Sequence, residues 1–473
     1  MQKKSTIVIL LLCLVLVLAA CGGNNGNANN KSGADSTGGN GGQTSPSNQT
    51  DQPAQKPAEK TTITYWTDDR HDQEYIKGLI EEFNASNPDN IEVELTVLSE
   101  NYAQSVDIAF SGNQAPDLLR IKSGNASSFV KKGYLAPIDT YLTDAHKEKF
   151  GSMLIDDVNR FGGQLYSLPN TGQTLRLVYN QDLFDKAGIT SPPASLQEMV
   201  DAAKKITEVG KSAGEYGFAL NFKSPKSAFD RSVREILARS GHQGLGYDLK
   251  SGVFDFGPYA QVIEYFKQMW EDGSMLPGAE SLDIDPLRAQ FAAGKIGMYL
   301  SFATEPGVYQ DQFPTEINWG GALAPTIDGT VGGKSEIVSA GTWIGISSSS
   351  EHKDAAWTFM DFMYADEHLI AYHENGFGIA VVPSIAAQAK QPAVRGMEGF
   401  LVGDQDAMWP VSPVVTPEGS NYADSLFKYV IAGGNLDEIV ADLNKRYNAA
   451  LDQAVQKGEV TVTPIPDFDP SKL

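Results

Sequence analysis

From Thr61 the chain alternates apolar and polar residues in "TTITYW", the two-residue period of a β-branched strand. From about Asp72 the period lengthens, with Tyr75, Ile76, Leu79, Ile80 and Phe83 at helical spacing until Asn87-Pro88 breaks the run. "IEVELTVL" (Ile91 to Leu98) returns to a strand pattern, Tyr102 to Phe110 reads as a helix, and "DLLRI" (Asp117 to Ile121) as a short strand. Strand, helix, strand, helix, strand in this compass predicts an α/β fold with a largely parallel sheet. Ligands of such sheets sit beyond the carboxyl ends of the strands. That directs attention to Trp66 with Thr67-Asp68-Asp69-Arg70, to Glu100-Asn101, and to Lys122-Ser123-Gly124-Asn125.

A second block follows "GQLYSLPNTGQTLRLVYN" (Gly163 to Asn180). Its patterns predict helices near 183–186, 196–208, 228–239, 259–270 and 286–293, then near 354–364, 423–431 and 436–454. Short strands are expected at "YGFAL", "KIGMYL" and "GTWIGIS", and no internal repeat is present.

The amino-terminal pattern differs. Lys3 and Lys4 precede an uncharged apolar run, Ile7 to Ala20, of 14 residues, whereas a membrane-spanning helix takes about 20. A basic start, a short apolar middle and small residues at the exit form an export signal, here residues 1–20. Leu18-Ala19-Ala20-Cys21 resembles a bacterial lipobox, which implies cleavage before Cys21 and lipid on its sulfur. Residues 21–60 are expected to form a flexible tether, since Gly22 to Lys60 holds no Val, Ile, Leu, Met, Phe, Trp or Tyr. Cys13 and Cys21 are the only cysteines, so the mature chain would form no internal disulfide. The formal charge of -22 becomes -24 without Lys3 and Lys4, which argues against nucleic acid and against anionic lipid as partners. Attachment to the membrane then rests on Cys21. A long polar tether behind it points to the outer face of a Gram-positive cell membrane.

Motifs for catalysis do not survive inspection. Gly210-Lys211-Ser212-Ala213-Gly214 fits G-x-S-x-G but ends a helix instead of joining strand to helix. Gly333-Lys334-Ser335 lacks the glycine a phosphate loop needs, having Asp328 there. No metal motif is found; Asp283 and Asp285 read as helix caps, and neither a cofactor nor a metal is expected. Carboxylates are abundant, and none is singled out as half of a glycosidase pair.

What remains is aromatic and polar. Trp66 beside Asp68 and Arg70 offers an apolar face next to charged hydrogen-bonding groups, which suits a pyranose, against core packing as the ordinary role of a single Trp. Trp343, among small residues, and Trp409, among prolines, read as site or core alike, while Trp270 and Trp357 read as core. Phe302 and Glu305 follow a strand; Arg176 in "TLRLVYN" is read as a cleft donor over a snorkelling cation, and Asn180 as a helix cap.

"APDLLRI" with "GYLAPIDTYL", "LRLVYNQDLFDKAGITSPPASLQEMVDAAKKI", "FAAGKIGMYLS", "GTWIGISSSSEHKDAAWTFMDFM" and "GGNLDEIVADLNKRYNAAL" together resemble the extracellular solute-binding proteins of the carbohydrate class, the receptors of ABC importers. The resemblance runs from Thr61 to about Gln456 and implies a two-lobed, periplasmic-binding-protein-like α/β fold of type II, each lobe a mostly parallel sheet flanked by helices. One lobe would comprise 61–168 plus 343–387, the other 169–342 plus 388–473, with crossings near 168–174, 339–346 and 378–391. It also implies a monomer that captures a carbohydrate between the lobes without chemistry and hands it to permease subunits. By position, Trp66, Asp68, Arg70, Glu100, Lys122 and Asn125 would line one wall; Asn170 and Thr171 would sit at the hinge; Phe302, Glu305 and Trp409 would face them. Ile121-Lys122 and Thr304 stand where maltodextrin binders carry aromatics, which points away from maltodextrin. A polyamine, peptide or glycerophosphodiester is the alternative ligand, since one fold hosts many solutes, and a surface glycosidase the alternative activity.

Overall fold

The computed structural model describes residues 60–98 and 101–473. The expected signal, Cys21, the tether up to Glu59, and Glu100 lie outside them.

The alternation in "TTITYW" forms β1 (Thr61–Thr67), which pairs in parallel with β2 (Ile91–Val97) along its whole length and with β3 (Leu118–Arg120). A fourth strand, Ile344–Ile346, runs antiparallel on the outer side of β3. Between the strands, α1 (Gln73–Ser86) buries the stripe Ile76, Leu79, Ile80 and Phe83, and α2 (Tyr102–Ser111) buries Tyr102, Val106 and Ala109. The helix Lys353–Met363 joins this core, Phe359 meeting Phe83 edge to face at 5.1 Å. Trp357 packs against the same cluster, and Trp270 against the core of the second sheet, as their spacing suggests.

The second sheet has the order Trp319–Ala322, Leu175–Asn180, Ile296–Phe302, Tyr216–Phe218. It is mixed instead of mostly parallel: Leu175–Asn180 opposes both neighbours, and only Ile296–Phe302 with Tyr216–Phe218 is parallel. The cause is topological. Parallel pairing needs a crossover connection, as helices supply between 218 and 296, whereas Leu175–Asn180 enters directly from the crossing segment. Helices Leu196–Gly210, Gly257–Glu271, Tyr422–Ala432 and Leu436–Gln456 cover this sheet. Gly217 admits the first of them, since a Cβ there would meet the Ala203 carbonyl oxygen at 2.1 Å.

Local details follow the caps. Asn180 Oδ1 accepts from the Leu183 amide at 3.1 Å, and Asp283 from Ile284 at 2.8 Å. The G-x-S-x-G stretch closes the helix Leu196–Gly210, with Gly214 at φ 71°. Two departures from the sequence reading lie beside residues of the cavity described below. A helix over Ser123–Lys131, α3, follows β3 directly. The helix expected over 228–239 breaks at Ser232 into Pro225–Arg231 and Val233–Arg239, Ser232 Oγ donating to the Ala228 carbonyl at 2.7 Å.

Between the sheets the chain crosses in hydrogen-bonded strands: Thr171–Gly172 lies antiparallel to Ile379–Ala380, and Gln173 bridges to Val338. Gly172 is enclosed here, for a Cβ would meet Ile337 Cγ2 at 2.7 Å and Val381 Cγ1 at 2.9 Å. No helix among the described residues is long and apolar enough to cross a membrane.

Candidate functional site

A cavity of about 170 Å³ opens where the exits of β1 and β3 face the end of Ile296–Phe302 across the crossing strands. One water needs roughly 10–15 Å³ by the same measure, so a multi-atom ligand has room. The first sheet supplies Asp68, Asp69, Arg70, His71, Arg120 and Lys122; the crossings supply Asn170, Thr171, Gln173, Ser339, Thr342 and Trp343; the far side supplies Arg231, Ile284, Arg288, Phe302 and Thr304. Tyr372 closes the wall from the helix Asp366–Glu374.

At the first wall Arg120 Nε donates to Asp69 Oδ2, and Lys122 Nζ lies 2.9 Å from both Asp68 Oδ2 and Asp69 Oδ1. Burial would raise the Asp69 carboxyl, but Arg120 and Lys122 outweigh it and hold the group well below the carboxylate range. Tyr372 donates to Asp72 Oδ2 at 2.7 Å and meets His71 Nε2 at 3.2 Å. Trp343 stands edge-on to Tyr364 and Tyr372, at 5.3 and 5.6 Å between centroids.

At the facing wall Arg288 grips Glu305: Nε lies 3.1 Å from both carboxylate oxygens and Nη2 2.7 Å from Oε1. Tyr299 and Ser301 donate to the same carboxylate at 2.8 and 2.6 Å. Burial again would raise this acid, and Arg288 keeps it below its ordinary value. Arg231 lies over the Phe302 ring, 4.4 Å from guanidinium carbon to centroid. The walls touch through Arg70, whose Nη1 lies 2.6 Å from Asp285 Oδ2 and whose carbonyl accepts from Gln312 Nε2.

Five buried side-chain atoms of the cavity lining have no hydrogen-bond partner within the protein: Asp68 Oδ1, Asn170 Oδ1, Gln173 Oε1, Thr342 Oγ1 and Arg231 Nε. Asn170 is 3% exposed and Thr342 2%. Buried polar atoms are nearly always paired, which sets this group around one cavity apart.

The sequence-derived candidates separate cleanly. Asp68, Arg70, Lys122, Asn170, Thr171, Phe302 and Trp343 all line the cavity. Trp66 does not: it packs against the hydrophobic cluster that includes Leu119, Ile121 and Phe129. Asn125 Oδ1 instead accepts from the Lys122 amide at 2.9 Å and starts α3. Arg176 is 1% exposed, paired with Asp406 at 2.9 Å and donating to the Gly399 and Leu401 carbonyls, so it is a core cation and not a cleft donor. Trp409 packs on Phe468, donates to the Lys334 carbonyl at 3.1 Å and is not part of the cavity lining. Glu305 is fully buried behind the wall and acts by holding Arg288. Sequence reading missed Arg120, Gln173, Arg231, Arg288, Thr342 and Tyr372. Arg231 and Arg288 look like ordinary helix-face cations, and only Arg120, inside "DLLRI", was marked by an apolar strand around a charge.

A cavity at strand exits, held between two sheets by crossing strands, is the arrangement of a two-lobed solute-binding fold. The bacterial extracellular solute-binding protein family matches residues 67–369, and the chain belongs to that family. The arabinooligosaccharide-binding protein of Bacillus subtilis is 24% identical over 320 residues, 65% of this chain and 70% of its own. The maltotriose-binding protein of Pyrococcus abyssi is 24% identical over 353 residues, covering 72% and 70%. An ABC transporter solute-binding protein of Thermotoga lettingae, solved with α-D-tagatose, superposes with a TM-score of 0.69 at 18% identity, over 83% of this chain and all of the other. At that identity the likeness carries the fold and leaves the ligand open.

Proposed function

We propose that this protein is the receptor of an ABC importer that captures a saccharide in the cavity between its lobes and delivers it to permease subunits. The observation that carries the reading is the set of five unpartnered polar atoms around one cavity. Hydroxyls both donate and accept, so a sugar answers a mixed set of donors and acceptors. Relatives that bind arabinooligosaccharide and maltotriose support it.

The lobes of this reading are 61–168 with 343–387 and 169–342 with 388–473. The pairing of Ile344–Ile346 with β3 and the packing of Trp343 in the first core support that division. Ligand held by one wall gains contacts with the other, which favours closure by that difference in affinity alone. Signal cleavage before Cys21 and a lipid on it would hold the receptor at the outer membrane face, acting as a monomer. Trp343 makes the test direct: a saccharide panel should shift intrinsic fluorescence, and Trp343→Phe should remove most of the shift. A response to non-sugar solutes alone, or breakdown of the sugar, refutes the reading.

A further inference from the structure

The cations of the cavity are not equally compensated. Arg120 and Lys122 share Asp68 and Asp69, Arg70 holds Asp285, and Arg288 takes Glu305 with two of its nitrogens. Arg231 receives the remainder. Its Nη1 donates to Ser301 Oγ at 2.7 Å, while Glu305 Oε1 stands 4.0 Å away, already engaged by Arg288 and by Ser301. The Arg231 side chain is 12% exposed, and its Nε has no partner. Burial, and then the neighbouring Arg288, lower its pKa to about 10. A guanidinium taken out of water without a carboxylate of its own is costly, and its planar fork matches a carboxylate or phosphate.

We infer that Arg231 anchors an anionic group of the ligand, so that the cavity takes a sugar bearing a carboxylate or a phosphate. This rests on the saccharide reading above and narrows it. The anion would meet the Arg231 guanidinium, which lies over Phe302, while the hydroxyls turn to Asp68, Asn170, Gln173 and Thr342. Asp68 in the facing wall does not oppose this, because Lys122 Nζ pairs with it at 2.9 Å. The net charge of -22 repels an anion from afar, but screening limits that to about 8–10 Å in physiological salt.

The test is calorimetric titration of the full chain with galacturonate against galactose, and glucose 6-phosphate against glucose, with acetate and inorganic phosphate as controls. One acidic sugar should bind about tenfold or more tightly than its neutral counterpart, and which pair responds identifies the group. Arg231→Gln should lower that acidic-to-neutral ratio about tenfold, and Arg231→Lys should keep more of it. Should Arg231→Gln fail to fold, rising salt must weaken the acidic sugar more than the neutral one in the unaltered protein. Equal or tighter binding of the neutral sugars, or an unchanged ratio in the variant, overturns the inference and leaves the saccharide reading standing. Binding of acetate or phosphate with no sugar bound overturns the saccharide reading, and the inference with it.

Discussion

Replacing Glu305 by Gln keeps the size of the side chain and removes the charge that grips Arg288. The carboxylate accepts from Arg288 Nε and Nη2, Tyr299 and Ser301, and is fully buried. In Gln the remaining oxygen still accepts from Ser301, and the amide nitrogen can face Tyr299, whose hydroxyl rotates to accept, so the loss there is small. Arg288, 6% exposed, loses its bidentate partner and keeps only Asp285, 3.1 Å from Nη1, which Arg70 also claims. Breaking a buried pair from one side costs about 3–5 kcal/mol. The residual Asp285 contact places this case near the lower figure, about 3 kcal/mol. Urea unfolding at neutral pH should show it as a midpoint lowered by about 1 M, for a slope of about 3 kcal/mol per M. The pH dependence fixes the sign. Glu305 titrates below its ordinary 4.5 in the folded protein, so its stabilisation is present above 4.5 and is lost as pH falls through the folded value. The gap between wild type and variant should therefore close in acid. A loss under about 1 kcal/mol, or a gap that stays constant into acid, would refute the assignment of Glu305 as the anchor of Arg288.

Three further outcomes are expected. Arg70→Met removes the pair with Asp285, whose partners are 31% and 24% exposed; such a pair is worth about 0.2–1 kcal/mol. Small-angle scattering without ligand should give a larger radius of gyration, and an unchanged radius counts against Arg70 as a contact that favours closure. Glu235 is fully buried, and burial raises its pKa from 4.5 to about 8. The folded state therefore holds a proton that the unfolded chain has released, so this group makes stability fall by several kcal/mol from about pH 5 to 8. Glu235→Gln should flatten that slope in melting scans, and an identical slope in both proteins disproves it. Cys21→Ala should move the protein from the membrane fraction to the medium, and a mature mass that includes residues 1–20 without lipid would contradict the processing proposed.

The first wall was readable in the sequence because a parallel sheet ties binding to chain position. Whatever follows "TTITYW" and "DLLRI" must emerge at the same edge, and Asp68, Arg70 and Lys122 do. The facing wall has no such rule. Arg231 reaches the cavity from the end of a helix that breaks at Ser232, and Arg288 from the middle of another, so their neighbours in sequence say nothing of the cavity. Arg176 shows the converse. A lone cation among apolar residues has the same local pattern whether it lines a cleft or is sealed in a core, and the partner that decides, Asp406, lies 230 residues away. Trp409 fails for the same reason, since its proline-rich surroundings describe an irregular segment and the Lys334 carbonyl that holds it comes from elsewhere in the chain. A charge compensated by a distant residue is invisible to any local reading, and the undercompensated Arg231 stands out only after every neighbouring carboxylate has been assigned to another cation. The residue most informative about the ligand is for that reason one that the sequence could not mark.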